Sequence, residues 1–161
     1  MGIRKNLAFA FFLVFSLDYF SKYLALKYLS TSAKNILGSL LTFSLSKNSG
    51  AAFGLGSGNG RAISIFAISV VAVIFYVGRR IDSKIWAYTL GVLAGGITGN
   101  LSDRVFRSPG GFNGSVVDWI KIPHWPNFNL ADSAITLSLL FMAYLIWRKK
   151  PLNSERLQNG Q

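Results

Sequence analysis

Asp18, Asp103, Asp118 and Asp132 lie in or beside strongly apolar stretches, and they are four of only six acidic residues in the chain. A carboxylate placed in lipid costs on the order of 2.5–3.5 kcal/mol even on a lenient insertion scale, so such a residue needs a partner or a task. Asp82 and Glu155 alone sit in plainly polar surroundings. Local spacing divides the four. Asp18 precedes Lys22 by four residues, the favourable acid-before-base order on a helix. Asp103 and Arg107 share that spacing, provided a helix runs that far. Asp132 has Phe128, Asn129, Ile135 and Thr136 at its helical neighbour positions, and none is a cation. Asp118 sits in SVVDWIKIP, where alternation and Pro123 indicate extended chain, so Lys121 points to the opposite face. Asp118 and Asp132 remain as the two unpaired acids.

Two neighbouring carboxylates cannot both ionise cheaply, so one keeps a proton and the pair holds a general base and a general acid at one pH. The base activates water while the acid protonates a carbonyl, which is the chemistry of an aspartic protease. The same residues also suit a proton relay or plain hydrogen bonding between helices. Asn129, Asp132, Ser133 and Thr136 form a polar stripe that must face the bundle or a wet cleft. Asn100, one turn from Asp103 and Arg104, adds a polar edge. The chain has no cysteine, which excludes disulfides, thiolate catalysis and cysteine-ligated metal. His124 is the one histidine, and carboxylates alone ligate zinc poorly. No metal or cofactor is expected, and His124 is expected at an interface or in a loop.

Four apolar runs must position these acids. Of 161 residues 51% are hydrophobic, and the mean hydropathy is +0.39, too apolar for an ordinary soluble domain. Spans are expected at about 7–28, 62–78, 85–101 and 128–147, each near the ~17–20 residues that a bilayer core requires. The first run is read as a retained helix, because no small-residue cleavage site follows Leu17. The net charge is +11, and many of the basic residues cluster next to the runs, at Arg4 and Lys5, Arg79 and Arg80, and Arg148 to Lys150, although Lys34, Lys47, Arg61, Arg107 and Lys121 fall on the other side. That placement indicates contact with membrane lipids rather than nucleic acid, and it puts both termini in the cytoplasm. Trp86 and Trp147 then mark the inner interface, Trp119 and Trp125 the outer. With this topology all four carboxylates share one level near the outer surface. Asp103 follows the third span's last turn, and Asp132 lies roughly 6 Å inside the fourth.

Between the first two spans, Leu41 to Ser46 alternates with the period of a strand, and KNSGAAFGLGSGNG follows it. An outer strand with a free edge could bind extended peptide. Gly91, Gly95 and Gly99 stand four apart, with Gly96 beside them, a pattern that serves close helix packing. The expectation is an all-α membrane protein: four transmembrane helices, a β-like outer region at about 36–58 and an outer loop at about 104–127. Residues 1–150 form one domain, and 151–161 a disordered cytoplasmic tail.

DYFSK (Asp18 to Lys22), KNSGAAFG (Lys47 to Gly54), GNLSDR (Gly99 to Arg104), VVDW (Val116 to Trp119) and FNLADSA (Phe128 to Ala134) resemble, in order, the signature blocks of the bacterial lipoprotein signal peptidases, or signal peptidase II. The resemblance implies a monomeric aspartic endopeptidase of the inner membrane. It would remove signal peptides from prolipoproteins, cutting before a diacylglyceryl-modified cysteine. It implies catalytic roles for Asp118 and Asp132, the pair that charge spacing also isolates. Supporting or substrate-binding roles fall to Asp18, Lys22, Asn48, Gly50, Asn100, Asp103, Arg104, Asn129 and Ala131. FRSPGGFNGS, before VVD, is longer than in many members of that family. A small proton-coupled carrier is the rival reading, although the inner halves of the spans carry no acids to continue a relay.

Overall fold

The computed structural model describes residues 2–50 and 59–153. The chain runs α1 (Ile3–Tyr28), β1 (Lys34–Leu37), β2 (Leu41–Asn48), α2 (Gly60–Gly78), α3 (Lys84–Phe106), β3 (Val116–Lys121) and α4 (Leu130–Trp147). α3 is the central helix, packed against α1, α2 and α4. The predicted glycine row works as packing. A side chain at Gly95 would meet the Phe11 carbonyl of α1 at 2.7 Å, and one at Gly96 would meet the Ala131 carbonyl of α4 at 2.8 Å. Leu7, Ile74, Leu90, Leu93 and Leu145 fill the core around them.

Among the described residues, α1, α2 and α4 are long and apolar enough to cross a membrane. Their outward faces carry large exposed apolar side chains, such as Phe12, Phe66, Leu137 and Leu140. A water-soluble monomer would not leave so much apolar surface bare. α3, at 23 residues, is long enough but less apolar, and its polar C-terminal end is buried in protein instead.

Several boundaries differ from expectation. α3 continues to Phe106, so Asp103 lies in its last turn rather than after it. The polar run Asn100–Arg104 lacks an apolar signal, but the Arg107–Asp103 ion pair and Gly114 N–H donating to the Arg104 carbonyl (2.9 Å) complete the helix end. α4 begins at Leu130, because Asn129 is its N-cap and Phe128 bridges back to Ile120. Trp86 is no interfacial anchor. It is 5% exposed and donates its indole N–H to the Lys150 carbonyl, whereas Trp125 and Trp147 are exposed. Pro151–Asn153 belong to the described fold, with the Leu152 carbonyl accepting from Ser83 N–H (3.2 Å). The remaining tail expectation, 154–161, falls outside the described residues, as do residues 51–58 of the outer region and of KNSGAAFG.

The strands form one antiparallel sheet in the order β1-β2-β3. The stretch read as β-like thus supplies two strands, and the outer loop supplies the third. Register sets Ser46 opposite Asp118 and Asn48 opposite Val116. Phe128 pairs with the free edge of β3 through hydrogen bonds of 2.9–3.0 Å to Ile120. That return carries the chain directly into α4 and brings Asp118 and Asp132 to one corner.

Candidate active site

The two acids with local cations build the frame. Lys22 Nζ lies 2.7 Å from Asp18 Oδ2 and 3.1 Å from Asp103 Oδ2, with all three side chains no more than 2% exposed. Asp18 Oδ1 accepts from Ala131 N–H at 2.9 Å, in the first turn of α4, where the helix dipole favours an anion. Asp103 Oδ2 accepts from Val117 N–H at 3.0 Å, and its other oxygen pairs with Arg107. So Asp18 ties α1 to α4, Asp103 ties α3 to β3, and Lys22 joins the two. The spacing foretold Lys22–Asp18 and Asp103–Arg107. It gave no sign of Lys22 reaching Asp103.

The two acids without cations meet at Asn129. Its amide Nδ2 donates to Asp118 Oδ1 at 2.7 Å, while its Oδ1 accepts from Asp132 N–H at 2.9 Å. Asp132 Oδ2 accepts from Asn129 N–H at 3.1 Å, closing a capping box around the start of α4. Asp132 Oδ1 accepts from Asn100 Nδ2 at 2.8 Å. Lys22 donates to Asn100 Oδ1 at 2.8 Å, which fixes the amide's direction. The two carboxylates thus share an asparagine rather than a direct hydrogen bond. The helical stripe that holds Asn129 gives no sign of this bridge, although asparagine three residues before an acid at a helix start has the form of a capping box.

Burial pushes the Asp118 carboxyl up to about 7, and the charge of Asp132 adds to the rise. Hydrogen bonds from Asn129 and Asn48 and the charge of Lys22 oppose it. Asp118 is 2% exposed, so its neutral form is favoured in a site of low polarity.

Asp132 borders a cleft of about 630 Å³, and Asp118 and Asn129 are buried beside it. One wall is α2, through Phe66 and Val70, and the other is α4, through Ile135 and Leu139, with α3 as the floor. Asn48, Asn100, Arg104 and Asp132 make its polar end. Arg104 donates to the carbonyls of Ser49 (3.5 Å), Gly114 (3.5 Å) and Gly50, so it secures the backbone after β2. Asn48 Oδ1 accepts from Gly50 N–H at 2.9 Å. Ala131 is fully buried beside Gly99, where an added side chain would strike Asp18 Oδ2 at 2.5 Å. His124 lies in an exposed turn at φ 61°.

The family model for signal peptidase II matches residues 10–148. The chain belongs to the signal peptidase II family. Relatives include the lipoprotein signal peptidases of Mycobacterium leprae, 41% identical over 133 residues (82% of this chain, 66% of that one), and of Streptomyces coelicolor, 44% identical over 113 residues (70% of this chain, 55% of that one). The chain therefore spans about two thirds or less of the length of these two relatives. Two bacterial membrane enzymes solved by the in meso method share the fold. One, at 2.3 Å resolution, superposes with a TM-score of 0.76 at 23% identity, covering 87% of this chain and 86% of that one. The other, at 1.9 Å, gives a TM-score of 0.73 at 23% identity, with 86% and 90% covered. Family membership lends no support to the proton-carrier reading.

Proposed function

We propose that this chain is an aspartic endopeptidase that removes signal peptides from diacylglyceryl-modified prolipoproteins, cutting before the lipidated cysteine. The observation that carries the reading is the corner where Asn129 links Asp118 to Asp132, at the polar end of an apolar cleft. Acyl chains suit the walls of Phe66, Val70, Ile135 and Leu139, and peptide suits the polar end. The chain acts as a monomer of the inner membrane. All four helices span the bilayer: α3 crosses despite its polar outer end because α1, α2 and α4 flank it. Clustered cations near the span ends put both termini in the cytoplasm and the site near the outer leaflet.

Asp132, which borders the cleft, takes a proton from water as its oxygen bonds to the scissile carbonyl carbon. Asp118, whose carboxyl burial pushes up to about 7, supplies the other proton and gives it to the carbonyl oxygen, making a gem-diol. On collapse, Asp132 returns its proton to the leaving nitrogen and the C–N bond breaks. Asp118 recovers a proton from the diol hydroxyl. Asn129 and Asn100 hold both carboxyls in place.

The test is purified protein in detergent with lipidated and unlipidated precursor side by side. Only the lipidated form should be cut. Asp118→Asn and Asp132→Asn should each abolish cleavage while leaving expression intact. Near-normal turnover by either variant removes that residue from the pair, and cutting of both precursors alike removes the lipid from the recognition.

A further inference from the structure

We propose that the segment 107–114 is a latch that fixes one end of α2 and so sets the width of the cleft between α2 and α4; its role in substrate binding rests on the peptidase reading above. α2 buries four residues, Gly60, Ser64, Ile74 and Gly78. Ile74 belongs to the helical core, and a side chain at Gly78 would strike Leu7 of α1 at 2.5 Å. Gly60 and Ser64, at the site end, meet the loop instead. The Ser64 hydroxyl donates to the Phe112 carbonyl at 2.9 Å, with Ser64 fully buried. A side chain at Gly60 would lie 2.8 Å from Asn113 Oδ1 and 3.1 Å from its Cα. α2 has no side-chain cap of its own at Asn59. Asn113 Oδ1 supplies one from across the molecule, accepting from Arg61 N–H at 3.0 Å.

The other side of the loop is equally well held. Gly114 N–H donates to the Arg104 carbonyl at 2.9 Å, and Arg104 Nη1 donates to the Gly114 carbonyl at 3.5 Å. A side chain at Gly114 would strike the last carbonyls of α3 at 2.5 Å, so glycine is required there. The latch therefore clamps the end of α3 to the start of α2 and leads directly into β3 and Asp118. Ile63, Phe66, Ala67 and Val70, which wall the cleft, lie between the latched end of α2 and its core-packed end. Removing the latch frees that wall without touching either carboxylate. Substrate binding should suffer and the chemical step should not.

The experiment measures steady-state cleavage of the diacylglyceryl-modified precursor by the full chain, Asn113→Ala and Ser64→Ala. Loss of one cap should raise KM about tenfold with kcat held within about twofold. Asn113→Asp keeps an oxygen that can accept from Arg61 N–H and should hold KM close to that of the unaltered chain. Unchanged KM in both alanine variants, or a loss confined to kcat, overturns the latch. So does an Asn113→Asp variant whose KM is raised as far as that of Asn113→Ala. No cleavage by the unaltered chain overturns the peptidase reading and the latch's substrate role with it. Cleavage by that chain with indifferent variants overturns the latch alone.

Discussion

Asp118 is where burial and charge act most directly on the chemistry. Its carboxyl titrates near 7, against about 3.9 for an unperturbed aspartate. The folded protein therefore holds this proton more tightly than the unfolded chain does. The stability it contributes is complete below about pH 4 and is lost as pH rises through about 7. Asp118→Asn cannot ionise and keeps an oxygen for Asn129. It should be more stable than the unaltered protein at pH 8, by an amount on the order of 1–4 kcal/mol, with the two converging near pH 4. Thermal unfolding in detergent across that range checks this. If Asp118 is the proton donor proposed above, cleavage by the unaltered chain should decline as pH passes about 7, where its carboxyl ionises. A different test applies at Lys22. Lys22→Met strands Asp18 as an uncompensated buried acid, while Asp103 keeps its pair with Arg107, and should cost about 3–5 kcal/mol. Adding Asp18→Asn should recover part of that loss in the same unfolding measurement.

At the scale of elements, close approach to α3 decides both stability and geometry. Gly95→Ala drives a methyl toward the Phe11 carbonyl, and α1 must move away. Gly96→Ala drives one toward the Ala131 carbonyl, next to Asp132. Both should destabilise by about 1–3 kcal/mol, but only Gly96→Ala should also lower kcat. Equal kcat in the two variants would show that α4's placement is not transmitted to Asp132. This packing was legible in the four-residue glycine spacing, and so was the pairing of Asp18 with Lys22, because both follow from the period of a single helix. Strand β3 was legible as extended chain from its alternation and Pro123. Its partner was not, since nothing local to SVVDWIK names β2. The end of α3 differs from expectation for a related reason. Asn100, Asp103 and Arg104 look like the limit of an apolar span, yet their partners come from α1, β3 and the backbone beside Gly50. Sharing a membrane level told which acids gather. It could not tell that an asparagine would stand between two of them.

Over the whole molecule, exposed apolar surface and buried charge are arranged opposite to a soluble protein. Lys22, Asp18, Asp103 and Arg104 are buried, while Phe12, Phe66, Leu137 and Leu140 face outward. Lipid resolves both, because it welcomes the apolar faces and leaves charge only the interior. The charged cluster lies at the sheet end of the bundle, and the arginine-rich turn Arg79–Arg80 lies at the other. In the topology proposed above, the rule that cations stay inside puts the sheet, the cleft's polar end and both catalytic candidates outside. A chain without cysteine makes this directly measurable. Leu40→Cys, at a hairpin tip 71% exposed, should react with a membrane-impermeant thiol reagent in intact cells. Gly2→Cys, exposed and with nothing within 4 Å of its added side chain, should react only after the membrane is opened. The reverse pattern would put the carboxylates on the cytoplasmic side, where a precursor already carried across the membrane could not present its lipidated cysteine to them.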